Sequence, residues 1–490
     1  MSLNILSVAS EAYPIIKTGG LADVVGALPD ALSAHDIATT TLLPAYPSVR
    51  RSLGKGKLLH TYKSLLGVEA RLVQHQAGGL SLILLEAPVL FDREGGPYSD
   101  TSGRDWPDNW RRFAALGRAA SDLADGLVPH IKPDVVHAHD WQAAMAPVYM
   151  RYAGAGARAS ATPSVLTIHN LAFQGQFAAD TFDGLDLPDE AYDVNGLEYF
   201  GSVGFLKGGL HCARAITTVS PSYALEIRQP EFGMGLEGMI NARSHDVTGI
   251  VNGIDTEIWN PASDPLLKSH YSATKLNDRT ANRAAIAAEF NLTEGRTRKP
   301  LFCVVSRMTW QKGIDVLVDL FDDIVNAGAQ LVLLGAGDPA LEAAAMAGAK
   351  RHSGQIGVRI GYDEGLSHLL QGGSDAIIVP SRFEPCGLTQ LYGLRYGCLP
   401  IVARTGGLAD TVIDANEAAL AAGVATGFQF DRVSHETLRH AISRAIAAFQ
   451  QPKTWHTLQK NAMKADFSWS RSGLKYAQLY KALIASQGAK

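Results

Sequence analysis

The sequence predicts an α/β protein built from two doubly wound parallel sheets, and three observations lead to that class. Short apolar runs of strand length alternate with helical stretches; the alternation breaks off near residue 255 and restarts after 300. The third is length, since 490 residues exceed the roughly 250–300 at which a single core stops growing. In the first half the strand-like runs are residues 4–9, 40–43, 80–85, 135–137, 165–168 and 216–219. In the second they are 301–306, 330–335, 358–360, 376–380 and 400–403, each followed by a loop rich in glycine or polar residues. The intervening segment 260–300 carries Pro261, Pro265 and many charges but no strand-like run, and reads as a connector with a helical middle around 278–290. Residues 468–486 place Trp469, Leu474, Tyr476, Leu479, Tyr480 and Leu483 at near-helical spacing, an amphipathic helix that needs a partner surface. The expected divisions are 1–255, 256–465 and a terminal helix 466–490.

Composition narrows the function classes. The chain is 46% hydrophobic and 19% charged, and 44 basic against 48 acidic residues leave a net charge of −4. No general positive field attracts a nucleic-acid backbone or an anionic membrane, so neither is an expected partner. The first basic residue is Lys17, after Glu11 has interrupted the apolar start; a secretory signal is not expected there. Cys212, Cys303, Cys386 and Cys398 form no paired metal spacing, which fits a reducing, cytoplasmic setting without structural zinc.

Seven segments carry candidate chemistry. Lys17-Thr-Gly-Gly-Leu-Ala-Asp23 follows a strand and opens a helix. Gly19 and Gly20 let backbone approach a ligand, the helix start offers free N–H groups, and Lys17 adds charge, which outlines a phosphate cradle. A tight packing turn would use the same residues. The pattern recurs as Arg404-Thr-Gly-Gly-Leu-Ala-Asp410, which suggests two anion-friendly turns facing one cleft. Ser306-Arg-Met-Thr-Trp-Gln-Lys-Gly313 sets Arg307 and Lys312 on one loop, two cations able to stabilise a departing diphosphate without a metal; solvated surface charges are the alternative. In Ser381-Arg-Phe-Glu-Pro-Cys-Gly-Leu-Thr389, Glu384 stands at a turn, and Cys386, Gly387, Leu388 and Thr389 open a helix whose N–H groups can hold sugar hydroxyls or phosphate. Glu384 could equally cap that helix.

His137-Ala-His139-Asp140 and Thr167-Ile-His169-Asn170 end two strands, which brings Asp140, His139 and His169 to one rim. The sequence singles out no third zinc ligand, so hydrogen bonding to sugar hydroxyls is the favoured role. Leu331-Val-Leu-Leu-Gly-Ala-Gly-Asp-Pro-Ala340 matches a dinucleotide fingerprint and supports a nicotinamide oxidoreductase as a rival, although that fingerprint normally opens its domain.

Together, segments 17–24, Gly95-Gly-Pro-Tyr98, 137–142, 167–170, Val251-Asn-Gly-Ile-Asp255, 306–313, Gly361-Tyr362, 380–392 and 404–412 resemble the bacterial glycogen synthases and plant starch synthases, in order and across most of the chain. The resemblance implies the GT-B architecture: two Rossmann-like domains facing an interdomain cleft, able to close, with the terminal helix crossing back to the first. It implies retaining transfer of glucose from ADP-glucose to the non-reducing end of an α-1,4-glucan, glycogen or a malto-oligosaccharide, with no cofactor or metal. Arg307 and Lys312 would hold the donor diphosphate, with Lys17 approaching from the opposite domain. Tyr362 would lie against the adenine, and Glu384, Asp140, His169 and Asn252 would surround the glucose. The loop around Tyr98 would shield the site from water. The broader group of such transferases often carries a second glutamate eight positions after the first, where this chain has Tyr392. A lack of any transit segment points to the bacterial branch, and ADP over UDP rests on that resemblance. A glycan-binding protein that kept the fold without catalysis is the third reading.

Overall fold

The computed structural model describes residues 2–293, 295 and 297–487. The chain divides into two compact units, one of 1–253 with 469–490 and one of 254–468.

Unit 1 is organised by a nine-stranded sheet in the order β12-β11-β7-β6-β1-β2-β5-β4-β3. Its strands are β1 (Leu3–Val8), β2 (Ile37–Pro44), β3 (Lys57–Leu65), β4 (Val68–Ala77), β5 (Leu80–Glu86), β6 (Val135–His139), β7 (Ser164–Ile168), β11 (Ala215–Thr218) and β12 (Val247–Gly249). A separate three-stranded sheet holds β8 (Gln176–Phe177), β9 (Glu198–Tyr199) and β10 (Ser202–Gly204). The large sheet is parallel except where β4 pairs antiparallel with β3 and with β5. Neither β3 nor β4 was expected as a strand. They lie at the edge with one face exposed, so Lys57, Lys63, Glu69 and Arg71 interrupt the apolar runs by which the other strands are recognised.

The helix Trp469–Ala485 belongs to this unit. Trp469, Tyr476 and Tyr480 join Val24, Leu28 and Leu32 of helix Gly20–Ser33 and strand residues Ile5, Val135 and Val165 in one core. The helices approach closely at Gly473, where a Cβ would stand 2.7 Å from the Ala31 side chain. The Ser472 hydroxyl donates to the Val251 carbonyl at 2.6 Å. His137 is fully committed here. Its Nδ1 bonds the Tyr480 hydroxyl at 2.7 Å and its Nε2 the Thr167 hydroxyl at 2.6 Å, so this histidine ties the terminal helix to the sheet.

Unit 2 carries a six-stranded parallel sheet, β15-β14-β13-β16-β17-β18. These are β13 (Leu301–Val305), β14 (Gln330–Gly335), β15 (Ile356–Ile360), β16 (Ala376–Val379), β17 (Leu399–Ala403) and β18 (Phe428–Phe430). Phe302, Val304, Leu331, Leu333 and Ile378 face one helical layer. Leu301, Cys303, Val332, Leu334 and Ile377 face the other. Burial on both faces explains why these strands read as unbroken apolar runs.

Among the parallel-paired strands of each sheet the order reverses at one place, between β1 and β6 and between β13 and β16. Loops leaving the carboxyl ends diverge there and open a crevice, the position at which such sheets bind ligands. Among the described residues no helix is long and apolar enough to cross a membrane.

Candidate active site

In unit 1 the reversal brings together the loops after β1, β6 and β7. Asp140 begins directly after β6 with φ +56°, a left-handed backbone that few side chains other than Asn and Asp adopt readily. Its buried carboxylate accepts the His169 backbone N–H at 2.6 Å and that of Asn170 at 3.4 Å, so β6 and β7 are clamped at their ends. Burial nevertheless dominates and raises the Asp140 carboxyl to about 7, against the pull of those two N–H groups.

His169 Nε2 lies 3.0 Å from His139 Nδ1. Burial lowers His169 to about 3 and His139 well below its ordinary range, so both rings are neutral at physiological pH. A neutral imidazole pair suits a hydroxyl, which donates and accepts, better than a phosphate. The buried His139 Nε2 and the buried Asn252 amide oxygen have no hydrogen-bond partner among the described residues. Such atoms in a closed fold are costly unless a ligand or water meets them.

Glu11, near the start of the loop leaving β1, was not among the expected site residues. It is buried and accepts hydrogen bonds from the Thr18 N–H, the Thr18 hydroxyl at 2.6 Å and the Tyr98 hydroxyl. Tyr98 also bonds the Ser10 hydroxyl at 2.8 Å, and burial followed by the Glu11 charge keeps its phenol protonated. The available signal was position: an acid immediately past a buried strand, on the rim that carries Asp140. Glu11 fixes the turn containing Gly19 and Gly20. Gly19 has an extended backbone and a Cβ there would meet nothing within 4 Å, so neither fold nor packing demands its glycine. The space is left open at the uncapped N-terminus of helix Gly20–Ser33. Lys17, half exposed, pairs with Asp23 at 2.8 Å.

The second copy of the motif behaves differently. At Gly406, φ +42°, a Cβ would stand 2.0 Å from the Glu384 carbonyl oxygen, and at Gly407 one would stand 2.1 Å from that of Cys386. The Gly407 N–H donates to the carbonyls of Glu384 and Pro385. The expectation of a second anion turn is therefore corrected: these glycines admit the Glu384 loop and hold it. Gly406→Ala is expected to destabilise unit 2 by about 1–3 kcal/mol and to lower turnover. Melting and steady-state rates beside a Gly54→Ala control, where a Cβ meets nothing within 4 Å, check this.

In unit 2 the Arg307–Lys312 loop leaves β13 and the Glu384 loop leaves β16, the two strands flanking the reversal. Lys312 Nζ bonds the Glu384 carboxylate at 2.5 Å and the Ser381 hydroxyl donates to it at 2.9 Å. Glu384 therefore pairs with a cation rather than capping the following helix. Arg307 is exposed on the same loop. Gly387 takes φ +71° and Leu388 caps helix Thr389–Tyr396 with no side-chain hydrogen bond, so the helix start is open to a ligand. Cys386 is buried. Tyr362 lies past β15, its ring 76% exposed and its hydroxyl donating to Glu364. Tyr392 stacks at 3.6 Å on Trp259, which stacks at 3.7 Å on His368. Tyr392, eight positions after Glu384, thus packs in an aromatic stack.

The dinucleotide-like glycines also have packing duties. A Cβ at Gly335 would stand 1.9 Å from the Ser306 carbonyl and one at Gly337 2.3 Å from that of Met308, so they admit the Arg307 loop. Among the described residues no group of three His, Cys, Asp or Glu side chains is placed to hold a metal.

Residues 4–242 match the starch synthase catalytic domain and 288–464 the glycosyl transferases of group 1. The chain is 59% identical over 486 residues to a glycogen synthase of Novosphingobium aromaticivorans, covering 99% of both proteins. It is 57% identical to one of Mesorhizobium japonicum, covering 99% of this chain and all of that one. Its fold superposes on the catalytic domain of starch synthase IV from Arabidopsis thaliana, solved with ADP and acarbose, at a TM-score of 0.88 and 31% identity, over 99% of this chain and all of that one. With two sheets whose reversal points carry these carboxylates, histidines and cations, and with relatives matched from end to end, the chain belongs to the glycogen and starch synthase family of GT-B glycosyltransferases.

Proposed function

We propose that the chain transfers glucose, with retention at the anomeric carbon, from ADP-glucose to the 4-hydroxyl at the non-reducing end of an α-1,4-glucan, releasing ADP. The observation that carries this reading is the Glu384–Lys312 pair set between Ser381 and the uncapped Thr389 helix. It joins an acid suited to a glucosyl group with a cation and free N–H groups suited to a diphosphate.

Lys312 and Arg307 neutralise charge as the bond from C1 to the diphosphate oxygen breaks. The acceptor oxygen forms the new C1 bond on the same face, and its proton passes to a diphosphate oxygen. Glu384 stabilises the positive charge that develops on the glucosyl ring. The neutral His169, Asp140 and Asn252 bind glucose hydroxyls, the exposed Tyr362 lies against the adenine, and the turn at Gly19 and Gly20 leaves room for a phosphate. Cys386, Gly387, Leu388 and Thr389 supply backbone groups to the donor. Lys17 and Tyr98 act through the Asp23 and Glu11 contacts that hold their loops. Four free cysteines fit a reducing, cytoplasmic setting.

Side-by-side rates with ADP-glucose and UDP-glucose, with nuclear magnetic resonance of the new linkage, test this. ADP-glucose preference and an α-1,4 product are expected; an inverted linkage, or equal use of both donors, would overturn the corresponding part.

A further inference from the structure

Phe200 sits where folding alone gives no reason for it. The hairpin β9–β10 closes through Phe200 and Gly201, with φ +50° and +76°. Two positive values in a two-residue turn favour Asn-Gly, and a bulky first residue is strained there. The Phe200 ring is also 81% exposed, so burial does not compensate. Phe173, on the loop leaving β7, is 56% exposed, and Met234, at φ +49°, is exposed too.

These residues are tied to one another and to the candidate site. The Met234 carbonyl accepts both the Gln174 amide and the Tyr199 hydroxyl, each at 3.1 Å. The Phe200 ring would lie 3.6 Å from a Cβ at Gly235. Gln174 follows Asn170, whose N–H meets Asp140. A second route starts at Trp141, beside Asp140. Its ring lies 5.8 Å from that of Phe177 in β8, which pairs with β10. Two chains of contact thus link the segments that carry the exposed rings to the Asp140 loop.

We propose that Phe173, Phe200 and Met234 form a platform for the α-glucan acceptor chain beyond its reacting end. Pyranose rings present apolar C–H faces edged by hydroxyls, which suits exposed rings flanked by backbone carbonyls and a carboxamide. Glu198, bonded to the Gly201 N–H, and Glu237, bonded to that of Gly235, set negative charge at the turn itself and disfavour phosphate there, while the Lys207 ammonium is taken up by the Val194 and Gly196 carbonyls. The occupant is therefore an uncharged glucan rather than nucleotide. This inference rests on the proposed function for its acceptor.

Phe200→Asn tests it, because Asn suits the left-handed turn and keeps the hairpin. The Tm should hold or rise. KM for glycogen should increase by roughly three- to tenfold, the scale of one lost ring contact, while KM for ADP-glucose, turnover at saturating glucan and rates on maltose stay the same. An unchanged KM for glycogen overturns the platform, as does a parallel fall in Tm and all rates. If the unaltered protein transfers no glucose, the proposed function fails, and co-sedimentation with glycogen decides the platform: weaker retention of Phe200→Asn supports it and equal retention overturns it.

Discussion

Replacing Glu384 with alanine is expected to lower kcat by about 10³-fold, the upper range for loss of one preorganised electrostatic contact, with a much smaller change in KM for ADP-glucose. The buried carboxylate has two partners of opposite purpose. Ser381 orients it, and Lys312 holds charge that a diphosphate would otherwise meet unscreened. In a site shielded from water, a carboxylate beside the glucosyl ring acts most strongly once positive charge develops there, so the loss falls on turnover. Glu384→Gln keeps the shape and the Ser381 bond but not the charge, and should lose most of the same factor. Steady-state kinetics of both variants check this; a kcat within tenfold of the unaltered protein would remove Glu384 from the chemistry.

Asp140→Asn is expected to make the protein more stable and less active. Burial raises the Asp140 carboxyl to about 7, above the ordinary 3.8 that it regains on unfolding. Between those values the unfolded chain has released its proton while the folded chain keeps it, so the carboxyl's contribution to stability declines as pH rises, until it levels off above 7. Asparagine accepts the His169 and Asn170 N–H bonds, tolerates φ +56° and carries no charge to desolvate. The Tm difference between variant and parent should be near zero at pH 4, grow toward pH 7 and then plateau. At about 1.4 kcal/mol per tenfold change in proton affinity, it should be readily measured. Turnover should fall by about 10²-fold, as when a strained functional group is exchanged for stability. A Tm difference independent of pH would show that burial of this carboxyl carries no such penalty.

The parallel strands were legible because both faces are buried: Leu301–Val305 and Gln330–Gly335 are apolar throughout. Strands β3 and β4 were not, since edge exposure replaces runs with alternation. Among the candidate residues, Asp140 and His169 followed directly from strand ends. Glu11 was missed because one of its partners, Tyr98, stands on a loop that folds back from 87 residues away. The repeated Thr-Gly-Gly-Leu-Ala-Asp misled for a related reason. Identical glycines face open space at Gly19 and a carbonyl at Gly406, and only tertiary contact separates a cradle from a packing turn.

The most direct test of the central claim is the stoichiometry of ADP released to glucose added when the purified protein is given ADP-glucose and glycogen with a chelator present. One ADP per glucose joined to the glucan, with negligible release when glycogen is left out, is the result predicted. ADP release that ignores glycogen, or no release at all, would contradict it.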